Sequence, residues 1–103
     1  MQLDPEQCRS LLFVPAGNER FLKSALRGDA DVIQIDLEDA IAPNQKEVAR
    51  EHAKKNIAVI VSAGRAVSVR VNAEKSLLDN DLDAIVSPGL SALTIPKWKT
   101  QKW

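Results

Sequence analysis

Residues 31–40 read DVIQIDLEDA, and the way this stretch is taken decides the fold. Val32, Ile33, Ile35 and Leu37 form a short apolar run, the pattern of a buried strand rather than a helix. Three carboxylates, Asp36, Glu38 and Asp39, crowd its C-terminal end. Like charges gathered where a strand leaves the core either begin a solvated loop or surround something cationic. Which of the two applies depends on what the rest of the chain brings to the same level.

Upstream, SLLFV (Ser10 to Val14) is a second strand-like run, stopped by Pro15. Pro15-Ala16-Gly17-Asn18 reads as a turn, with Asn18 placed to cap the segment that follows. That segment, ERFLKSALRG, sets Phe21, Leu22, Ala25 and Leu26 on one helical face and ends at Gly28. The strand is expected over Asp29 to Leu37. Beyond it, a loop at Ala42-Pro43-Asn44 opens a longer helix. Val48, Ala49, Ala53, Ile57 and Ile60 mark its apolar face and Gly64 its end. AVSVRV (Ala66 to Val71) alternates as a third strand. Leu77 to Val86 predicts a short helix, stopped by Ser87-Pro88-Gly89, and ALTI (Ala92 to Ile95) a fourth strand.

The order is β-α-β-α-β-α-β. Regular alternation with strands apolar on both faces predicts an α/β fold with a parallel sheet covered by helices. Two architectures remain open: a small doubly wound sheet, or the N-terminal half of an eight-stranded (β/α)₈ barrel. In both, chemistry gathers where strands end and helices begin. The strand ends bring together Val14-Pro15-Ala16-Gly17, Asp36 to Asp39, Arg70-Val71-Asn72 and Pro96-Lys97. Three carboxylates beside basic groups at one rim suit an anionic substrate held next to a divalent cation.

Bulk properties narrow the function classes. The 103 residues allow one domain, and 14 basic side chains balance 14 acidic ones, so no net field draws the chain to nucleic acid or to a membrane surface. No apolar run approaches the ~20 residues of a membrane span. The leader MQLDPEQC is polar and acidic, unlike a signal peptide, and the single cysteine, Cys8, excludes an internal disulfide. A cytoplasmic protein is expected. His52 lies in the basic stretch REHAKK and reads as a surface histidine. Cys8 has no partner at metal-ligand spacing.

Four stretches in order, RSLLFVPAGNERFLKSAL, RGDADVIQIDLEDAIAPNQKEVAR, VSVRVN and SALTIPK, resemble the citrate lyase β-subunit family, within the wider group of malyl-CoA lyases and hydroxy-acid aldolases. The resemblance runs from Arg9 to Lys97. It implies the first part of a (β/α)₈ barrel whose intact members use Mg²⁺ to break or form a C–C bond between an acyl-CoA enolate and a keto acid. Citryl thioester cleavage to oxaloacetate and an acetyl thioester is the name-giving reaction. Partners implied are the CoA thioester and keto-acid substrates and other lyase subunits, while the two open edges of a half barrel, at strands one and four, predict a homo-oligomer.

Carried over residue by residue, the resemblance makes Arg70 the group that holds the keto-acid carboxylate and carbonyl. A planar guanidinium suits that task. Glu38 is implied as catalytic. Asp36, Glu38 and Asp39 are implied to support the arginine and metal-bound waters rather than to bind the metal directly, and Asp39 also reads as a plain loop carboxylate. Arg20 and Lys23 fall where the family contacts CoA phosphates; they equally read as solvated helix charges. Phe13 is implied in the thioester pocket, or is simply core. Arg9 is expected in an ion pair at the barrel base, and Lys97 sits at the rim without an assigned role.

The chain also departs from the pattern. Ala16 precedes Gly17 where the family glycine comes earlier, and WKTQKW replaces the continuation after Pro96-Lys97. A polar leader (1–8), a partial barrel domain (9–97) and an atypical tail (98–103) are expected, with Trp98 and Trp103 in that tail. The family's direct metal ligands have no counterpart here. Two readings stand: part of a C–C lyase, incomplete and weakly active or inactive alone, or a non-catalytic α/β domain that self-associates or binds anions through Arg70 and Arg20.

Overall fold

The computed structural model describes residues 10–87 and 89–95. Cys8, Arg9, Pro88, Lys97, Trp98 and Trp103 lie outside the described residues, as do the leader and tail. The elements run β1 (Leu11–Pro15), α1 (Glu19–Arg27), β2 (Val32–Asp36), a 3₁₀ turn (Pro43–Gln45), α2 (Lys46–Ser62), β3 (Ala66–Arg70), α3 (Lys75–Ile85) and β4 (Ala92–Thr94). All pairings are parallel, in the order β1-β2-β3-β4.

That order chooses between the two architectures. A doubly wound sheet reverses direction at its switch point. Here every strand adds at the same edge, and right-handed crossovers then put every helix on one face. The arrangement is that of the first half of a barrel.

The two faces of the sheet differ accordingly. Val14, Ile33, Ile35, Val67 and Val69 pack against Leu22, Ala25, Ala53, Ile57, Ile60 and Ile85 of the helices. The opposite face carries Phe13, Val32 and Ala66 together with Gln34, Asp36, Ser68, Arg70 and Thr94. The expectation of strands apolar on both sides is corrected to a mixed face that turns polar toward the strand ends. Gln34 is only 2% exposed, and its Oε1 accepts from Ser68 Oγ at 2.6 Å and Thr94 Oγ1 at 3.0 Å. Thr94 on β4 thus reaches β2 across β3. In a flat sheet alternate strands stand about 9.6 Å apart, so this contact requires a concave polar face.

Several boundaries move for local reasons. Asn18 caps α1 as expected, its side chain accepting from the Phe21 N–H at 3.0 Å. Phe21 itself is 50% exposed, because the buried stripe of this nine-residue helix narrows to Leu22 and Ala25. Val48 is likewise 51% exposed. Residues 29–31 stay outside β2: the Asp31 N–H bonds Ser10 Oγ at 3.0 Å, and the Asp31 carboxylate accepts from the Ser10 N–H at 3.0 Å. α3 starts at Lys75, before its first apolar residue, a polar turn that periodicity does not register. Among the described residues no helix is long and apolar enough to cross a membrane.

Candidate active site

Asp36 ends β2, Arg70 ends β3, and the parallel register sets them side by side. Arg70 Nε donates to Asp36 Oδ1 at 3.0 Å and Nη2 to Oδ2 at 2.8 Å, a two-pronged fork. The same carboxylate accepts the Glu38 N–H on Oδ1 at 2.9 Å and the Ala40 N–H on Oδ2 at 3.0 Å. Four hydrogen bonds fill its acceptor sites. Glu38 Oε1 and Asp39 Oδ2 each stand 3.7 Å from the guanidinium. The guanidinium carbon lies 5.0 Å from the centroid of the Phe13 ring, within cation–π range. The opening question therefore has an answer. The three acids surround a cation, and that cation is Arg70.

Protonation follows from these contacts. Burial pushes the Asp36 carboxyl up, but the Arg70 hydrogen bond and the two backbone N–H donors outweigh it, so its pKa falls below the usual value. For Glu38, burial and repulsion from Asp39 prevail over the attraction of Arg70, and its pKa rises. The hydrogen bond to Asp36 raises Arg70 further against the opposing effect of burial, so it stays charged. Two of its five N–H donors serve Asp36, which leaves three for an anion.

Asp36 is committed to Arg70 and the backbone. Among the described residues no three His, Cys, Asp or Glu groups are arranged to hold a metal ion. The acidic cluster fits its arginine and does not fit Mg²⁺ as a direct ligand set.

Of the sequence candidates, Phe13, Asp36, Glu38, Asp39 and Arg70 come together. Arg20 and Lys23 do not join them. They lie exposed on α1, lining a shallow groove with Glu19, Ser24 and Arg27 on the helix side of the sheet. His52 is exposed as expected, yet its ring covers Gly17: a Cβ built there would meet His52 Cγ and Cδ2 at 2.9 Å. Gly17 also has φ +86°, and its N–H donates to Asn56 Oδ1 at 3.0 Å. A cleft of about 400 Å³ opens beside it, lined by Ala16, Ala40, Ile41, Gln45, Val48 and His52 among others.

Sequence reasoning missed the supports of the rim. Lys46 Nζ donates to the carbonyl oxygens of Leu37 at 2.9 Å and Glu38 at 2.6 Å. Asn72 Nδ2 donates to the same Leu37 oxygen at 3.0 Å and to Asp81 Oδ2 at 2.7 Å. Asp81 is 0% exposed, and its Oδ1 takes Arg50 Nε at 2.7 Å. Asn72 was visible as the last residue of VRVN. Asp81 was hidden among the acids of a polar helix.

A one-way parallel β/α array with an acid-clasped arginine at its strand ends has the layout of the first part of a β/α barrel. Residues 9–102 match the HpcH/HpaI aldolase/citrate lyase family, and the chain belongs to it. It is 31% identical over 93 residues to citrate lyase subunit beta of Leuconostoc mesenteroides subsp. cremoris, covering 89% of this chain and 31% of that one. It is 37% identical over 90 residues to a (3S)-malyl-CoA thioesterase of Cereibacter sphaeroides (strain ATCC 17029 / ATH 2.4.9), covering 86% of this chain and 32% of that one. The crystal structure of RipC from Yersinia pestis superposes with a TM-score of 0.53 at 32% identity, over 79% of this chain and 29% of that one. The chain thus spans about a third of the length of these relatives.

Proposed function

We propose that this chain supplies the keto-acid-binding part of a carbon–carbon lyase site that acts on an acyl-CoA thioester. The observation that carries this reading is Arg70. It is fixed in a two-pronged bond to Asp36 at the strand ends, with its remaining donors available to a carboxylate. In the cleavage direction the substrate hydroxyl loses its proton and becomes the keto-acid carbonyl. The C–C bond breaks, and its electron pair passes to the thioester enolate, which then takes up a proton. Arg70 holds the keto-acid carboxylate and favours the carbonyl geometry of the product. Glu38, whose carboxyl is raised above its usual pKa by burial and by Asp39, is the group here suited to carry a proton. Magnesium belongs to this reading through the family alone. The rim acids do not form its ligand set, and no step is assigned to it.

Binding, rather than turnover, is what these residues can perform by themselves. The test is oxaloacetate titration of the ¹⁵N-labelled chain, following the Glu38 and Ala40 amide signals beside the Asp36–Arg70 fork, with Arg70→Lys as control. A saturable shift lost in Arg70→Lys supports the reading; an unmoved signal refutes it.

A second reading, self-association without catalysis, has its own observation. β1 and β4 end the sheet, and Leu11, Leu12, Phe13, Leu93 and Ile95 are exposed there. Apolar sheet edges invite another strand. Size-exclusion chromatography with light scattering tests it: a discrete folded dimer supports the reading, a monomer at high concentration refutes it.

A further inference from the structure

We infer that Lys46 is a positioning residue for Arg70, acting through one peptide unit of the acidic loop; the inference rests on the keto-acid reading of that arginine. The Leu37–Glu38 peptide is held at both ends. Its carbonyl oxygen accepts from Lys46 Nζ at 2.9 Å and from Asn72 Nδ2 at 3.0 Å. Its N–H donates to Asp36 Oδ1 at 2.9 Å, the oxygen that also takes Arg70 Nε at 3.0 Å. Because a peptide unit is planar, fixing the carbonyl direction fixes the N–H direction. The N–H then sets the rotation of the Asp36 carboxylate, and the carboxylate sets the plane of the guanidinium. Lys46 thus reaches the arginine without touching it.

Two further features of α2 support the assignment. Arg50, four residues on and so on the same helical face, converges on that peptide from the other side through Asp81 and Asn72. Asn56 anchors the loop after β1 through the Gly17 N–H at 3.0 Å. One helix therefore ties down the loops after the first three strands. Lys46 is also the cation that stands on the backbone of the acidic loop, where one guanidinium faces three carboxylates. Its ammonium bonds only carbonyl oxygens among the described residues, so its charge is not spent in an ion pair.

The experiment compares the wild-type chain with Lys46→Met and Lys46→Arg. Thermal unfolding monitors the fold, hydrogen exchange of the Glu38 and Ala40 amides and of the Arg70 Nε–H monitors the relay, and oxaloacetate titration monitors the site. In Lys46→Met we expect faster exchange at all three N–H groups and oxaloacetate affinity lower by about tenfold, the usual cost of losing an orienting neighbour. In Lys46→Arg, which keeps a cationic donor, most of both is restored. Unchanged exchange and affinity in Lys46→Met overturn the inference, and so does a Lys46→Arg chain that is folded yet as impaired as the methionine variant. Should Lys46→Met not fold, Lys46→Gln replaces it and is judged by the same exchange rates. Failure of the wild-type chain to bind oxaloacetate would refute the keto-acid reading instead. The exchange rates would still decide whether Lys46 positions Arg70.

Discussion

Replacing Asp36 with asparagine should expose how much of the rim depends on one carboxylate. The side chain is nearly buried, 5% exposed against 23% for Arg70, and it accepts four hydrogen bonds. Asparagine keeps the shape but offers one acceptor oxygen, and it turns an NH₂ toward donors that need an acceptor. Arg70 loses its charged partner, and two backbone N–H groups compete for one oxygen. Removing one member of a buried pair costs roughly 3–5 kcal/mol. Partial exposure of Arg70, with Glu38 and Asp39 still 3.7 Å away, brings the figure to about 2–3 kcal/mol. For a domain of this size that corresponds to a fall in Tm of roughly 10–20 °C. Thermal unfolding followed by circular dichroism at neutral pH measures it directly. The pH dependence supplies a second check. The Asp36 pKa is lowered on folding, so its stabilisation is full above the unfolded value of 3.8 and fades as pH falls through the folded value. The gap between wild type and Asp36→Asn should therefore close in acid. A neutral-pH Tm within about 3 °C of wild type, or a gap independent of pH, would refute the view of Asp36 as the anchor of Arg70.

Further substitutions probe the surroundings. Glu38 has the opposite sign: its pKa is raised on folding, so stability is lost as pH rises from the unfolded value of 4.5 through the folded one. Glu38→Gln should be more stable than wild type at neutral pH by about 0.5 kcal/mol and equal to it below that window, as urea unfolding across pH would show. Gly17→Ala should cost about 1–2 kcal/mol, since φ is +86° and the new methyl meets the His52 ring at 2.9 Å. Adding His52→Ala should recover the steric share but not the conformational one, and full recovery would contradict the positive-φ argument. Asp81→Leu strands the Arg50 guanidinium and the Asn72 amide in the interior, and should cost about 3–5 kcal/mol in denaturant unfolding.

How much of this was legible in the sequence follows from the physics of each part. Strand and helix order was readable because burial imposes periodicity: Ile33, Ile35, Val67 and Val69 had to be apolar to face the helices. The choice between doubly wound and barrel-like order came from the family resemblance alone, because local pattern carries no information on which edge a strand joins. The DLED and VRVN stretches pointed to Arg70 and its acids, and register alone then brought Asp36 beside Arg70. Lys46 was not legible, since a lysine at the start of a helix looks the same whether it is solvated or clasping two carbonyls. Gln34 was passed over between Ile33 and Ile35, although its buried amide joins Ser68 and Thr94. Arg20 and Lys23, which the resemblance placed at CoA phosphates, lie exposed on α1 and line a groove with Glu19, Ser24 and Arg27, apart from the Arg70 cluster.

These differences locate what the chain settles by its own contacts. The Arg70 fork is fixed by Asp36, Asp36 by the acidic loop, and the loop by α2 and the β3 end. Each link joins residues of this chain, so the orientation of Arg70 depends on no further strand. The concave face below it is otherwise. Phe13 and Thr94 are exposed at opposite ends of the sheet, while Gln34 between them is buried. Closing that face requires strands beyond β4, or a second sheet, to cover the ends. Orientation of the arginine and enclosure of the site are therefore separable properties. A folded form of this chain should hold Arg70 in place and bind a keto acid weakly in water, and covering the face should tighten that binding by excluding solvent from a charge already aimed.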